Sequence, residues 1–167
     1  NDGSAIRAKK YPWNPKEQYG IEGKVRYNIT DSLTIGYGYR YFDEELRLLG
    51  ETQRPLFLPY QIDEIFNTVR SDHSFTLEGY LGKNWYINST TGYNDFERSS
   101  FSQRLDIEVD STYVVAAGND TSTFTALLQR SILSTAFKGK WNGQIGLEYF
   151  GETGAGGRII DTTSNPI

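Results

Sequence analysis

The chain has no cysteine among its 167 residues, which excludes a disulfide framework and thiol chemistry. It has one histidine, His73, so neither a catalytic triad nor a histidine-rich metal site can be assembled within it. No apolar run approaches the ~20 residues that a membrane helix needs. Basic clusters interleaved with aromatics are missing. With 17 basic against 21 acidic residues the net charge is −4, so nucleic acid is not an expected partner. No leader with a charged start and an apolar stretch opens the chain at Asn1. The expectation is a removed signal, or a piece of a larger protein. Lack of cysteine suits a bacterial envelope protein that crosses an oxidising periplasm unfolded.

These absences do not touch a membrane barrel. Barrel strands need only ~9–11 residues and keep half of them polar, so a mean hydropathy of −0.55 is compatible with one. What the chain does have is alternation. Tyr19, Ile21, Val25, Tyr27 and Ile29 fall on one face, with Glu22, Lys24, Arg26 and Asn28 on the other. After Asp31-Ser32 the pattern resumes, with Leu33, Ile35, Tyr37, Tyr39 and Tyr41 against Thr34, Gly36, Gly38 and Arg40. A period of two with a tight turn predicts a hairpin.

A second hairpin turns at Gly82-Lys83-Asn84, with His73, Phe75, Leu77 and Leu81 sharing a face with Trp85, Ile87 and Tyr93. A third turns at Lys138-Gly139-Lys140, and its second arm sets Trp141, Ile145, Leu147 and Tyr149 on one face. Its first arm is ambiguous, because "LLQRSIL" fits either register. Leu127, Leu133 and Phe137 are assigned to the apolar face. The expected strands are 19–30, 32–42, 73–82, 85–97, 124–137 and 141–151.

Connections within hairpins are short, whereas those expected between hairpins (about 43–72 and 98–123) are long, as in outer-membrane barrels. The aromatics point the same way. Tyr19 and Tyr27, Trp85 and Tyr93, and Trp141 and Tyr149 are pairs on the apolar face, each eight residues apart. Eight residues in a tilted strand span about 20 Å of height, close to the ~25 Å apolar band between two aromatic girdles. The expected fold is therefore an all-β, antiparallel transmembrane β-barrel, with its apolar face toward lipid and its polar face toward the lumen. A soluble lipocalin-like barrel with aromatics inside is the competing architecture. If the short turns are periplasmic, both chain ends lie outside. Six strands with both ends outside are then expected to be part of a larger closed barrel, since open edges are not tolerated in hydrocarbon.

The stretches "KYPWNPKEQYGIEGKVRYNITDSLTIGYGYRY", "RSDHSFTLEGYL" and "ILSTAFKGKWNGQIGLEYFGETGAGGRI" resemble mid-barrel strands and loops of TonB-dependent outer-membrane receptors. The resemblance covers nearly the whole chain but only a portion of that family's barrel. It implies a 22-stranded barrel closed by a plug domain, located in the bacterial outer membrane and driven by TonB through the plug. Implied cargo is a scarce nutrient such as a siderophore, haem, cobalamin or glycan. Implied partners are the rest of the barrel, outer-membrane lipid and a surface lipoprotein. Neither a plug, nor a TonB-contacting box, nor a C-terminal strand with a terminal aromatic is recognisable here. The alternative is another outer-membrane barrel, such as a porin, an assembly or export component, or a split structural chain.

No catalytic residue, cofactor or metal is expected, so the chain is not read as an enzyme. His73 falls in the lipid-side register and is read as an interface residue. Asp43, Glu44, Glu45, Asp63 and Glu64 could offer oxygens to calcium, but they lack EF-hand spacing and are read as a solvated loop. "GETGAGG" lacks the ending and helix of a phosphate loop. The stretch "ETQRPLFLPYQIDEIF" is too apolar for an idle exposed loop. Its apolar residues are read first as packing on neighbouring loops; should the stretch instead meet a ligand or surface partner, Arg54, Phe57, Tyr60 and Asp63 are the candidate residues.

Overall fold

The computed structural model describes residues 14–55, 58–136 and 142–157, without the side chains of 116–118 and 136. Strands β1 (Lys16–Thr30), β2 (Leu33–Leu48), β3 (Tyr60–Leu81), β4 (Trp85–Asp106), β5 (Ser111–Ala136) and β6 (Asn142–Ala155) follow one another in chain order. They form one six-stranded antiparallel meander in which each strand pairs with its sequence neighbours. The described residues contain no helix. The all-β, antiparallel hairpin architecture expected from alternation is present. The sheet is not closed: β1 and β6 are its two edges.

Turn chemistry fixes the hairpins. Asp31-Ser32 joins β1 to β2, and the Ser32 carbonyl accepts a hydrogen bond from the Tyr80 amide at 2.7 Å, tying this turn onto β3. The tie is possible because residue 79 is glycine. Its φ is +140°, and a Cβ there would collide with the Ser32 carbonyl oxygen. Gly82 opens the next turn with φ +75°. At the opposite end of the sheet β4 turns into β5 through residues 107–110, where Asp110 takes φ 47°.

Strand lengths depart from the sequence expectation. The connections expected over 43–72 and 98–123 are mostly strand: β2 runs on to Leu48, β3 starts at Tyr60, and only four residues separate β4 from β5. In Asp43–Arg47 and Ser99–Arg104 only Leu46 and Phe101 are apolar, one in each stretch, and both faces are mostly polar. The two-residue contrast therefore vanishes although the backbone stays extended. β-bulges interrupt the registers at Asn28/Thr30 and Ser100/Ser102. The expected bounds 124–137 and 141–151 extend into 137–141, outside the described residues, together with Phe137 and Trp141.

Between the bulges, every register joins odd-numbered residues to odd-numbered ones. One face is thus the odd face across all six strands. Register also resolves the ambiguous arm: Leu127 lies opposite Tyr93 and Leu133 opposite Ile87, on the odd face, while Leu128 and Ile132 lie on the even face. The single layer buries little. Ile65 and Leu105 are the buried apolar side chains among the described residues, while Ile21, Val25, Ile145 and Leu147 are each about two-thirds exposed.

Candidate functional site: two faces and a charge-free band

The registers show how the aromatics are arranged on the odd face. Following the pairing from Tyr19 through Asp43 and Val69 leads to Glu97, four residues beyond Tyr93. From Tyr149 the pairing leads through Gln129 to Thr91, two residues short of Tyr93. Tyr19, Tyr93 and Tyr149 therefore lie on a line that descends steadily across the sheet, six residues over five strand spacings. At ~3.3 Å per residue and ~4.8 Å per strand, that line is inclined about 40° to the strand perpendicular. Tyr27 and Trp85 lie on a parallel line eight residues below.

Between these lines the odd face of the described residues carries no Asp, Glu, Lys or Arg. Charges begin one step above the upper line, at Glu17 on β1, Asp43 on β2 and Asp95 on β4. Those three follow the same diagonal. No stretch of linear sequence contains this boundary, because it exists only once the strands are in register.

Polar side chains inside the band satisfy one another. Gln129 donates from Nε2 to Ser89 at 3.1 Å and to Ser131 at 2.7 Å, while its Oε1 accepts from the Thr91 hydroxyl. Ser89 and Ser131 are themselves 2.8 Å apart. An amide with both hydrogens donated and its oxygen used can sit in an apolar medium at little cost. Near the upper line the His73 Nδ1 lies 2.9 Å from the Tyr37 hydroxyl, with the rings of Tyr39 and Tyr93 centred 4.9 and 6.1 Å from the imidazole. His73 is thus one member of an aromatic cluster on the odd face.

The even face is built differently. Arg40 grips Glu22 at 3.0 Å across β1 and β2, and Arg70 grips Asp72 at 3.0 Å, with Asn94 donating to the same carboxylate. Tyr86 donates to Glu78 at 2.7 Å. Between these groups lie Gly36, Gly38 and Gly92 with Ser74, Thr76 and Thr90. Exposed pairs of this kind contribute little stability in water.

The four candidate binding residues do not converge. Arg54 is exposed and makes no polar contact among the described residues; Phe57 lies outside them. Tyr60 and Asp63 fall in β3 three residues apart, so they face opposite ways. The Tyr60 ring stacks under the Arg104 guanidinium at 4.0 Å. The Arg104 Nε donates to Asp106 at 2.9 Å, and that hydrogen bond holds the guanidinium pKa above its usual value. Asp63 instead accepts from the Gly50 amide at 3.0 Å and Gln61 Nε2 at 2.6 Å. Among the described residues no group of three or more His, Cys, Asp or Glu is placed to hold a metal ion.

A comparison with known protein families finds none that matches the chain. A search of curated proteins likewise finds no match.

Proposed function

We propose that the chain is a section of an outer-membrane β-barrel wall, with its odd face in lipid and its even face toward a water-filled lumen. The observation that carries this reading is the inclined charge-free band. A belt that is level in a bilayer must run obliquely across the strand registers by the angle at which the strands tilt. Transmembrane barrels tilt by ~35–45°, and the aromatic line here is inclined by about 40°. Soluble barrels tilt their strands by a similar ~35–45°, so the line marks a closed barrel of either kind, and the charged pairs Arg40–Glu22 and Arg70–Asp72 on the even face are what favour lipid on the odd one. The band is about 20 Å high, within reach of the ~25 Å apolar zone of outer-membrane barrels. The exposed apolar odd face requires a cover, and lipid is the cover that matches its shape.

Within that class we infer a TonB-dependent receptor that imports a scarce nutrient. The strand texture and loop style support this, as does the height of the sheet. β3 continues from His73 to Tyr60, rising about 30 Å above the band. Barrels of 22 strands enclose a lumen wide enough for a plug, and a wall of this height would extend that lumen into an external vestibule. The even face, polar and lined with small residues, would then look onto the plug, and the two free edges would pair with the remaining wall. Tyr19, Tyr27, Trp85, Tyr93, Trp141 and Tyr149 would set the depth in the bilayer.

The test is to isolate the intact polypeptide from its native membrane, sequence it, and measure nutrient uptake with and without its gene. A polypeptide several times the 19.0 kDa of this chain, with a plug-like region and TonB-dependent uptake, is expected. A polypeptide without a plug, or uptake indifferent to TonB, would replace this reading with a passive or structural barrel.

A further inference from the structure

On the even face of β3–β5, above the upper aromatic line, Phe66, Phe96 and Phe124 stand around Arg98. Phe96 lies opposite Phe124 in the β4–β5 register, and Arg98 lies opposite Thr68 on one side and Ser122 on the other. The Arg98 guanidinium sits over the Phe66 ring, 4.6 Å from its centre. Phe124 is exposed, and Phe66 and Phe96 are half-buried. Apolar side chains scattered singly over a polar face need no explanation, whereas adjacent ones mark a contact surface.

The charge at the centre of this patch is uncompensated. Arg40, Arg47, Arg70, Arg104 and Arg130 each hold a carboxylate. Arg98, the remaining Lys or Arg of β2–β5, makes no ion pair among the described residues. The carboxylate nearest to it by register, Asp120, accepts instead from the Gly157 amide at 2.8 Å and the Ser122 hydroxyl at 3.4 Å. A guanidinium laid over a ring is held in place by its face while its edge N–H donors stay free, and their fork matches a carboxylate. Two separate features therefore ask for the same occupant: a free planar cation asks for an anion, and the rings beside it ask for an apolar, flat body.

We propose that this patch binds a small organic anion with an aromatic body: the carboxylate on the Arg98 guanidinium, the ring against Phe96 and Phe124. Thr68 and Ser122 flank Arg98 and offer their hydroxyls. The proposal rests on the even face being the wet wall of the lumen, and it narrows the imported cargo to this chemical class.

The probe is 2-naphthoate, compared by equilibrium dialysis with 2-naphthylmethanol and 2-naphthylmethylammonium against the full polypeptide in phosphatidylcholine nanodiscs, with empty nanodiscs as the blank. The carboxylate should bind most tightly. Arg98→Gln, a change at an exposed position, should weaken it about ten-fold, the loss expected for one charge-assisted hydrogen bond, and leave the alcohol unchanged. Phe96→Ala should weaken carboxylate and alcohol alike, by about five-fold. Equal binding of the ammonium, or carboxylate affinity unaltered by Arg98→Gln, would overturn the proposal. The lumen reading has its own readout: an impermeant thiol reagent should modify Gly92→Cys, on the same face and outside the patch. A modified cysteine with no preference for the anion sinks the patch alone; an unmodified one sinks the lumen reading and the patch with it.

Discussion

Arginine placed along β6 tests the orientation and the tilt together. Halfway between the two aromatic lines stand Gly23 on β1, Ser89 on β4 and Ile145 on β6, all on the odd face. A lipid-facing arginine costs about 2–4 kcal/mol at the bilayer mid-plane and ~0–1 kcal/mol near the interface. Ile145→Arg should therefore lower the folding constant roughly 30- to 1,000-fold. Leu147→Arg, one step nearer the upper line, should cost less, and Tyr149→Arg least for its charge. Gly146→Arg, on the even face, should fall within the ~0.5 kcal/mol expected of a surface change. On β1 the maximum should come at Gly23, where a new side chain meets nothing within 4 Å. Gly23 is not in register with Ile145, whose row runs through Leu133, Ile87, Gly79 and Leu33. The six-residue displacement between the two maxima is the tilt made measurable. The assay is reversible folding of the full polypeptide into lipid vesicles, followed by tryptophan fluorescence and gel mobility. A flat profile, or a larger cost at Gly146 than at Ile145, would refute the reasoning.

Three smaller effects follow from particular contacts. Gln129→Ala should destabilise the protein by about 1–2 kcal/mol, because Thr91, Ser89 and Ser131 lose their shared partner, a loss that counts fully if the odd face is in lipid; unfolding in denaturant reads it. Gly79→Ala should cost about 1–3 kcal/mol through strained backbone and collision with the Ser32 carbonyl, whereas Gly92→Ala, with open space around it, should be nearly silent in the same measurement. Asp72→Ala releases Arg70 and Asn94 on the even face, and the stability change should stay below about 1 kcal/mol and shrink with salt.

Alternation in β1, β2 and β6 was legible because one face is apolar and the other charged, which leaves a single consistent register. In β5 the pattern failed because Leu127 and Leu128 supply an apolar residue to each face, and only pairing with Tyr93 and Ile87 separates them. The upper halves of β3 and β4 were not legible as strand, since Ile62, Ile65, Phe66, Phe101 and Leu105 are divided between the two faces and leave no two-residue contrast. Reading 51–66 as a loop also placed Tyr60 and Asp63 together, although strand parity turns them apart. The band's oblique boundary was beyond the linear sequence, since Tyr19, Tyr93 and Tyr149 acquire relative heights only through the registers of the strands between them. The patch around Arg98 is of the same kind: Phe66, Arg98 and Phe124 belong to three strands and share no motif.

This stretch of 167 residues contains no cysteine, so a cysteine introduced into it is the single thiol of the section. Single cysteines at Ile145 and Gly146, adjacent in β6 but on opposite faces, can each carry an environment-sensitive fluorophore in the folded full polypeptide. Nitroxide-bearing lipid should quench the label at 145 strongly and leave the label at 146 bright. A membrane-impermeant, lumen-accessible thiol reagent should in turn reach the unlabelled cysteine at 146 and not the one at 145. Quenching at 146 with 145 protected from lipid, or no lipid contact at either, would contradict the outward placement of the apolar face.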